Sequence, residues 1–567
     1  MTGVVKRMWL VAVAIVVSVP AAYAQHEGHN MNMGEQAVDE WRMPPMDMSM
    51  PMLPGLHDAV PSVEAFLPGA GHNVSHFPKA VPSEVMTVAD GDTVRIEAML
   101  VRRTIEGKDF VMMGYNGQYP GPMIRSTRDA RIYVDFVNNI EMPTTVHWHG
   151  IRIDNAFDGI PGITQAPVEN GESFLYEIKL PDAGIYWYHP HMREDLQQDL
   201  GLYGNLLVDP PNDDYYGSVH REEVLILDDI LMDDLGLIPF GATAPTNALM
   251  GRFGNVMLAN GSPDYRLSTK AGEVVRFYLT NVANSRTFNV TFGNADVKVV
   301  GSDVSRYERE QWISSVPIAP AERYIVDVRF NQAGTVHIAN TIQAINHFRG
   351  EFYPHVDTLV TVDVTDEPAG DLETDFDVLR EHTDVQADVA SFEKYFDKPV
   401  DHRLELTLKV KGLHTSIMQS MEIDTLYVPP IEWNDAMPMM NWLATGKEVT
   451  WILKDSDTGN ENMNIDWNFS TGDLVKLRIF NEPRSFHPMN HPFHVHGQRF
   501  LITAIDGVRP ENMVWKDTVI IPVGSTIDLL IDVTNPGDWM MHCHIAEHLH
   551  AGMMLKFSVD EGPRGSN

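Results

Sequence analysis

The sequence predicts an all-β chain of three related β-sandwich domains. Three observations carry that expectation. From about residue 80 onward, short runs of alternating apolar and polar residues recur between Gly, Pro and Asn turns, and long helical periodicity is scarce. One strand block then appears three times, ending at Asn138, Asn281 and Asn481. Ile132, Val134 and Phe136 alternate before the first, Val275, Phe277 and Leu279 before the second, Val475, Leu477 and Ile479 before the third. A second block reads PDAGIYWYHPH, NQAGTVHIANT and NPGDWMMHCH, and aligns on Gly184, Gly334 and Gly537. The 567 residues suit two to four domains, and 44% hydrophobic content supplies a core for each.

Taken in order, the chain opens with Lys6 and Arg7, an apolar run over 8–19, and the small-x-small site Ala22-Tyr23-Ala24 before Gln25. Residues 1–24 therefore read as an export signal, which implies a periplasmic or secreted protein. The apolar run is too short to span a bilayer comfortably, and no later stretch is long enough, so stable membrane insertion is not expected. Residues 25–79 form a Met/His-rich segment whose first half reads as a disordered tail. The first sandwich is expected over 80–212, closing on GNLLVDPPNDD, and the second over 213–366, closing on LVTVDVTDEP. An acidic connector follows over 367–400, with short helical turns around 378–395, and the third sandwich occupies 401–567. The net charge of −36 disfavours nucleic-acid binding, which needs a basic face. The acidity reads first as solubility, and second as attraction for cationic donors.

The chemistry concentrates near the end. Cys543 is the only cysteine, so no intrachain disulfide is available. An exported thiol without a partner needs an occupant, and a metal supplies one. On an extended strand His542 and His544 point one way and Cys543 the other, so the three can serve two adjoining sites. His548 and Met553 follow Cys543 by five and ten positions, within reach of its sulfur. A thiolate, imidazoles and a weak thioether make a blue-copper ligand set once a second histidine arrives. HPFHVHGQRF at 491–500 provides it in His491, beside a further pair, His494 and His496. Two more His-x-His pairs lie upstream, His147 with His149 and His189 with His191. Eight imidazoles on four strands suffice for three metal ions. In the second unit, Ala339 and Thr341 stand where the aligned blocks carry histidines. The pairs of the first and third sandwiches must therefore meet at an interface.

These motifs, with YNGQYPGPMIR at 115–125, resemble those of the multicopper oxidases, the group of laccases and bacterial copper-resistance oxidases. The resemblance covers nearly the whole chain after about Pro82. It implies cupredoxin-like Greek-key domains, four copper ions, and one-electron oxidation of a donor coupled to reduction of O2 to water. It implies that His491, Cys543, His548 and a long axial Met553 hold type 1 copper. His147 and His494 would bind type 2 copper, and His149, His189, His191, His496, His542 and His544 the type 3 pair. His487 also starts a His-Pro pair, but only His491 fits the family order His-Pro-x-His-x-His-Gly. Cys543 is joined by its own backbone to His542 and His544, the shortest covalent link between the two sites. Asp158, eleven residues past His147, resembles the acid that assists proton delivery, although Asp-Gly is also a turn signal. Some bacterial members carry an acid where this chain has Leu549, with Glu547 and His550 nearby.

Outer-sphere transfer demands little of donor shape. Phenols and aromatic amines are the first donors expected, and Cu(I) the second. Soft thioethers select Cu(I), and Met31, Met33, Met43, Met46, Met48, Met50 and Met52 recur in the tail. Trp433, Met437, Met439, Met440 and Trp442 form a Met-rich loop that reads as core packing, with a donor-site role as the alternative. The rival from another class is a copper-sequestering protein, which has no use for Cys543 between strand-facing histidines.

Overall fold

The computed structural model describes residues 63–346, 351–373, 375–414, 417–418, 431–433 and 438–562. The signal segment 1–24, the seven methionines of 31–52 and Met437 lie outside the described residues.

The expected threefold repeat is present as a threefold repeat of sheet pairing. The three strands that end at the repeated asparagine, Arg131–Asn139, Glu273–Asn281 and Leu474–Asn481, each have a parallel and an antiparallel neighbour. The parallel neighbours are Thr93–Ile105, Arg221–Ile230 and His402–Val410. The antiparallel neighbours are Ser173–Lys179, Arg323–Phe330 and Thr526–Asp532. Alternate residues of these strands are fully buried, including Ile132, Val134 and Phe136, as the period of two requires. Each repeated asparagine is itself buried at a corner and donates two hydrogen bonds from Nδ2. Asn138 reaches the carbonyls of Met142 and Val168, both at 2.8 Å. Asn281 reaches Arg286 and Ile318, and Asn481 reaches Met489 and Ile521. At each of the three corners the buried amide thus ties two backbone carbonyls together.

The facing sheets repeat as well. They are carried by β1 (His147–His149), β2 (Gly184–His189), β3 (Gly334–Asn346), β4 (His491–Val495), β5 (Gly537–Cys543) and β6 (Met554–Asp560). β1 pairs antiparallel with β2, and β4 with β5, which in turn pairs with β6. The three aligned glycines start β2, β3 and β5 with φ of 148°, 133° and 128°, backbone that a side chain would strain. In the second sandwich β3 keeps this position, but Ala339 and Thr341 replace imidazoles. Its core closes on Val290, Ile338 and Val362 instead.

Short helices fill the junctions: α1 (Glu194–Gln197), α2 (Ala244–Met250), α3 (Thr383–Phe392), α4 (Pro438–Leu443) and α5 (Ala546–His550). The helical turns expected around 378–395 are α3 and the 3-10 turn Glu393–Tyr395. The connector is more than a tether. Val385, Val389 and Phe396 pack with Val304 of the second sandwich and with Leu501, Trp515 and Leu530 of the third. In the Met-rich loop, Met440 is buried in the core, the first of its two expected roles. Asn441 of α4 accepts hydrogen bonds from Thr246 of α2.

Candidate metal centres

Register decides which side chains share a face. His147 lies opposite His189, and His494 opposite His542. Between them, Trp148 with Tyr188 and Phe493 with Cys543 face the opposite way and are fully buried. All eight histidines of the four pairs are buried and converge between the first and third sandwiches. Three clusters form, and within each the donor atoms lie within 4.8 Å of one another: His147, His149, His494; His149, His189, His544; and His191, His496, His542. The rings of His149 and His494 stack at 3.8 Å, and Nε2 of His496 lies 2.9 Å from Nε2 of His542.

In seven of the eight rings one nitrogen is held by a named partner. Nδ1 of His147, His189, His494 and His542 donates to the carbonyls of Asp158, Pro190, Asp517 and Cys543 at 2.8, 2.8, 2.9 and 3.0 Å. Nδ1 of His496 donates to Asp158 Oδ2 at 3.0 Å, and Nδ1 of His191 faces Glu194 Oε1 at 2.8 Å. His149 is turned over: Nε2 faces Asp517 Oδ1 and Thr518 Oγ1, both at 3.1 Å. The nitrogens left without a hydrogen bond are Nε2 of His147, His189, His191, His494 and His544, and Nδ1 of His149. Buried orphan acceptors are costly, and a cluster of them converging on common points fits metal ions. Burial holds His149, His189, His494, His496, His542 and His544 below the usual histidine pKa, so they stay neutral and able to ligate. His191 is the exception: burial lowers its pKa, but the Glu194 carboxylate outweighs that and raises it.

A fourth cluster lies on the other face of β5. Cys543 Sγ is 3.4 Å from His491 Nδ1 and 3.9 Å from His548 Nδ1. Met553, also fully buried, accepts a hydrogen bond from the Cys543 N–H at 3.1 Å through its carbonyl. Burial pushes the Cys543 thiol well above its usual range and holds His491 down at about 3. A bound cation reverses the first effect, because a coordinating thiol is deprotonated outright. The cluster therefore fits a thiophilic metal and is a poor free thiol. Trp451 stacks on His548 at 4.0 Å and seals that ring from solvent.

The histidines, Cys543 and Asp158 named from the sequence are thus brought together. Asp158 ends a 3-10 turn and also turns its carboxylate onto His496, so the turn and the site use the same residue. His487 is buried and lies near His548. His550 is exposed.

Sequence reasoning missed the supports. Arg323 of the second sandwich binds both oxygens of Asp517 of the third at 2.8 and 2.6 Å, behind His149 of the first. Burial alone would raise the Asp517 carboxyl, but Arg323 holds it well below the usual carboxylate range. Gly150, at φ 83°, is required beside this pair, because a Cβ would fall 2.6 Å from Asp517 Oδ2 and collide with Arg323. Only that glycine, directly after His-Trp-His, hinted at a close approach. Glu547 is gripped by Asn284 Nδ2 at 3.0 Å and Ser285 Oγ at 2.8 Å, which ties α5 to the second sandwich.

Comparison with known proteins agrees with this geometry. Three family models, each described as multicopper oxidase, match residues 100–213, 227–359 and 422–563. The multicopper oxidase mco of Staphylococcus aureus is 24% identical over 454 residues, covering 79% of this chain and 83% of its own length. The structure of a Campylobacter jejuni multicopper oxidase, described as a metallo-oxidase, superposes with TM-score 0.65 at 20% identity, over 89% of this chain and 99% of that one. A laccase-like multicopper oxidase from Ochrobactrum, described as active towards lignin model compounds, gives TM-score 0.63 at 22% identity, over 85% and 100%. This chain belongs to the multicopper oxidase family, copper-dependent oxidoreductases that use O2 as electron acceptor.

Proposed function

We propose that the chain is a laccase-like oxidase that takes single electrons from phenolic or aromatic-amine donors. His491, Cys543 and His548, together with the buried Met553, would hold type 1 copper, and His147 with His494 type 2 copper. The type 3 ions would divide between His149, His189, His544 and His191, His496, His542. When bound, the four coppers supply one-electron oxidation at the thiolate site and four-electron reduction of O2 at the trinuclear one. The observation that carries this reading is the alternation along β5: Cys543 faces one cluster while His542 and His544, its covalent neighbours, face the other.

The protein's own groups do the rest. His149, His189, His494, His496, His542 and His544 are presented neutral, without the cost of deprotonation. Asp158 orients His496 and keeps Oδ1 free of hydrogen bonds 3.3 Å from His147 Nδ1, placed to hold a proton beside the trinuclear cavity. His548 is fully buried under Trp451, so a donor does not touch the imidazole, which suits outer-sphere donors of varied shape. The export signal read at 1–24 would place the enzyme in the periplasm or outside the cell.

Cu(I) oxidation is the second reading, favoured by the methionine run at 31–52 and by the metallo-oxidase among the similar structures. Oxygen uptake by copper-loaded protein with a simple phenol and with Cu(I), measured side by side, separates the two. Full copper content without oxygen uptake from either donor would leave only sequestration.

A further inference from the structure

Three carboxylates face the trinuclear imidazoles, and two of them, Asp517 and Glu194, belong to no motif. Asp158 faces His496 and Asp517 faces His149, while Glu194 Oε1 lies 2.8 Å from His191 Nδ1. Glu194 is only 7% exposed. Its approach is built into the backbone: Arg193 adopts a left-handed φ of 49°, which returns the chain so that residue 194 meets residue 191. The turn is also anchored. Asn284 of the second sandwich donates to the Asp195 carbonyl at 3.1 Å with the same amide that holds Glu547. The cluster of His191, His496 and His542 thus has two carboxylate-backed rings, and that of His149, His189 and His544 has one.

We propose that Glu194 is a positioning residue of the trinuclear site. It fixes the tautomer and ring plane of His191, and its negative charge makes Nε2 a stronger electron-pair donor. The cluster of His191, His496 and His542 then retains its metal more tightly than its neighbour does. This rests on the reading of those histidines as copper ligands.

The test compares copper-loaded wild-type protein with Glu194→Leu, Glu194→Gln and Glu194→Asp. Copper per chain and the EPR spectrum are followed during dialysis against a chelator, with the blue absorption of the Cys543 site as internal control. Glutamine still accepts the hydrogen bond but carries no charge; leucine does neither. Glu194→Leu is expected to weaken trinuclear copper retention about 10- to 100-fold. Glu194→Gln should fall between, Glu194→Asp should stay near wild type, and the blue band should hold in all three. As one ion leaves the magnetically coupled pair, a new Cu(II) signal should appear. Leucine and glutamine variants that keep copper as wild type does would overturn the proposal. If the leucine variant does not fold, a glutamine variant equal to wild type overturns it alone. A wild-type protein that takes up no copper at the histidine clusters is a different outcome, and it would sink the ligand assignment itself.

Discussion

Arg323→Met is the most informative single change to the scaffold. It removes a guanidinium that is fully buried, binds Asp517 at 2.8 and 2.6 Å, and also donates to the carbonyls of Ile185 and Ala321. Asp303, its second carboxylate at 3.4 Å, keeps Lys516 at 3.0 Å, so its charge stays compensated. Asp517 is left as a buried anion whose remaining partners are His149, Thr518 and His494. Breaking one side of a buried pair costs about 3–5 kcal/mol, a large share of the ~5–15 kcal/mol that holds a typical protein folded. Urea unfolding of copper-loaded protein, followed by tryptophan fluorescence, reads that loss. The pH dependence has a fixed sign. The native pKa of Asp517 is depressed, so the stability it contributes is present above the unfolded value near ~4 and is lost as pH falls through the native one. The deficit of the variant should therefore be largest near neutrality and shrink in acid. Adding Asp517→Leu removes the stranded charge and should restore most of the stability, while it takes the carboxylate from His149 and should lower copper retention at the histidine clusters. A single-variant loss below about 1 kcal/mol, within the range of exposed pairs, or a deficit that grows in acid, would refute this reasoning.

Asp158→Asn should slow oxygen reduction by about 100-fold or more, the usual worth of a placed acid or base, while the blue site still reduces anaerobically; full turnover would remove Asp158 from proton handling. Met553→Leu withdraws a weak thioether donor and should raise the reduction potential of the blue site in a redox titration. A lower or unchanged potential would argue that Met553 is only core. Burial pushes Asp199 up to about 7 even with Arg252 at 3.1 Å. A raised acid contributes stability that is full below its unfolded pKa of ~4 and lost as pH rises through about 7. Asp199→Asn should flatten the fall in the urea midpoint across that interval, and an unchanged slope would count against it.

Most of the fold was legible because the repeat is enforced by physics that shows in a linear chain. Alternation at a period of two marks the strands, and the buried asparagines and left-handed glycines mark fixed points three times over. The clustered histidines were legible for the same reason, since His-x-His on a strand can only point to one face. What sequence could not supply was the second partner in each contact. Asp517 follows His494 by 23 residues and Arg323 precedes it by 194, and neither interval carries a periodic signal. Glu194 sits three residues from His191, but only the left-handed turn at Arg193 makes that spacing a contact. The second sandwich looks inert in sequence because it has lost the aligned histidines. Its side chains support the clusters: Arg323 braces Asp517 behind His149, and Asn284 and Ser285 hold the helix that carries His548.

The most direct test is a copper count and absorption spectrum of wild type against Cys543→Ser. Wild type should bind four coppers and be blue. The serine variant should lose the colour and one copper, keep three at the histidine clusters, and stop oxidising phenols. A serine variant that stays blue and turns over would show that the lone thiolate does not join the two sites.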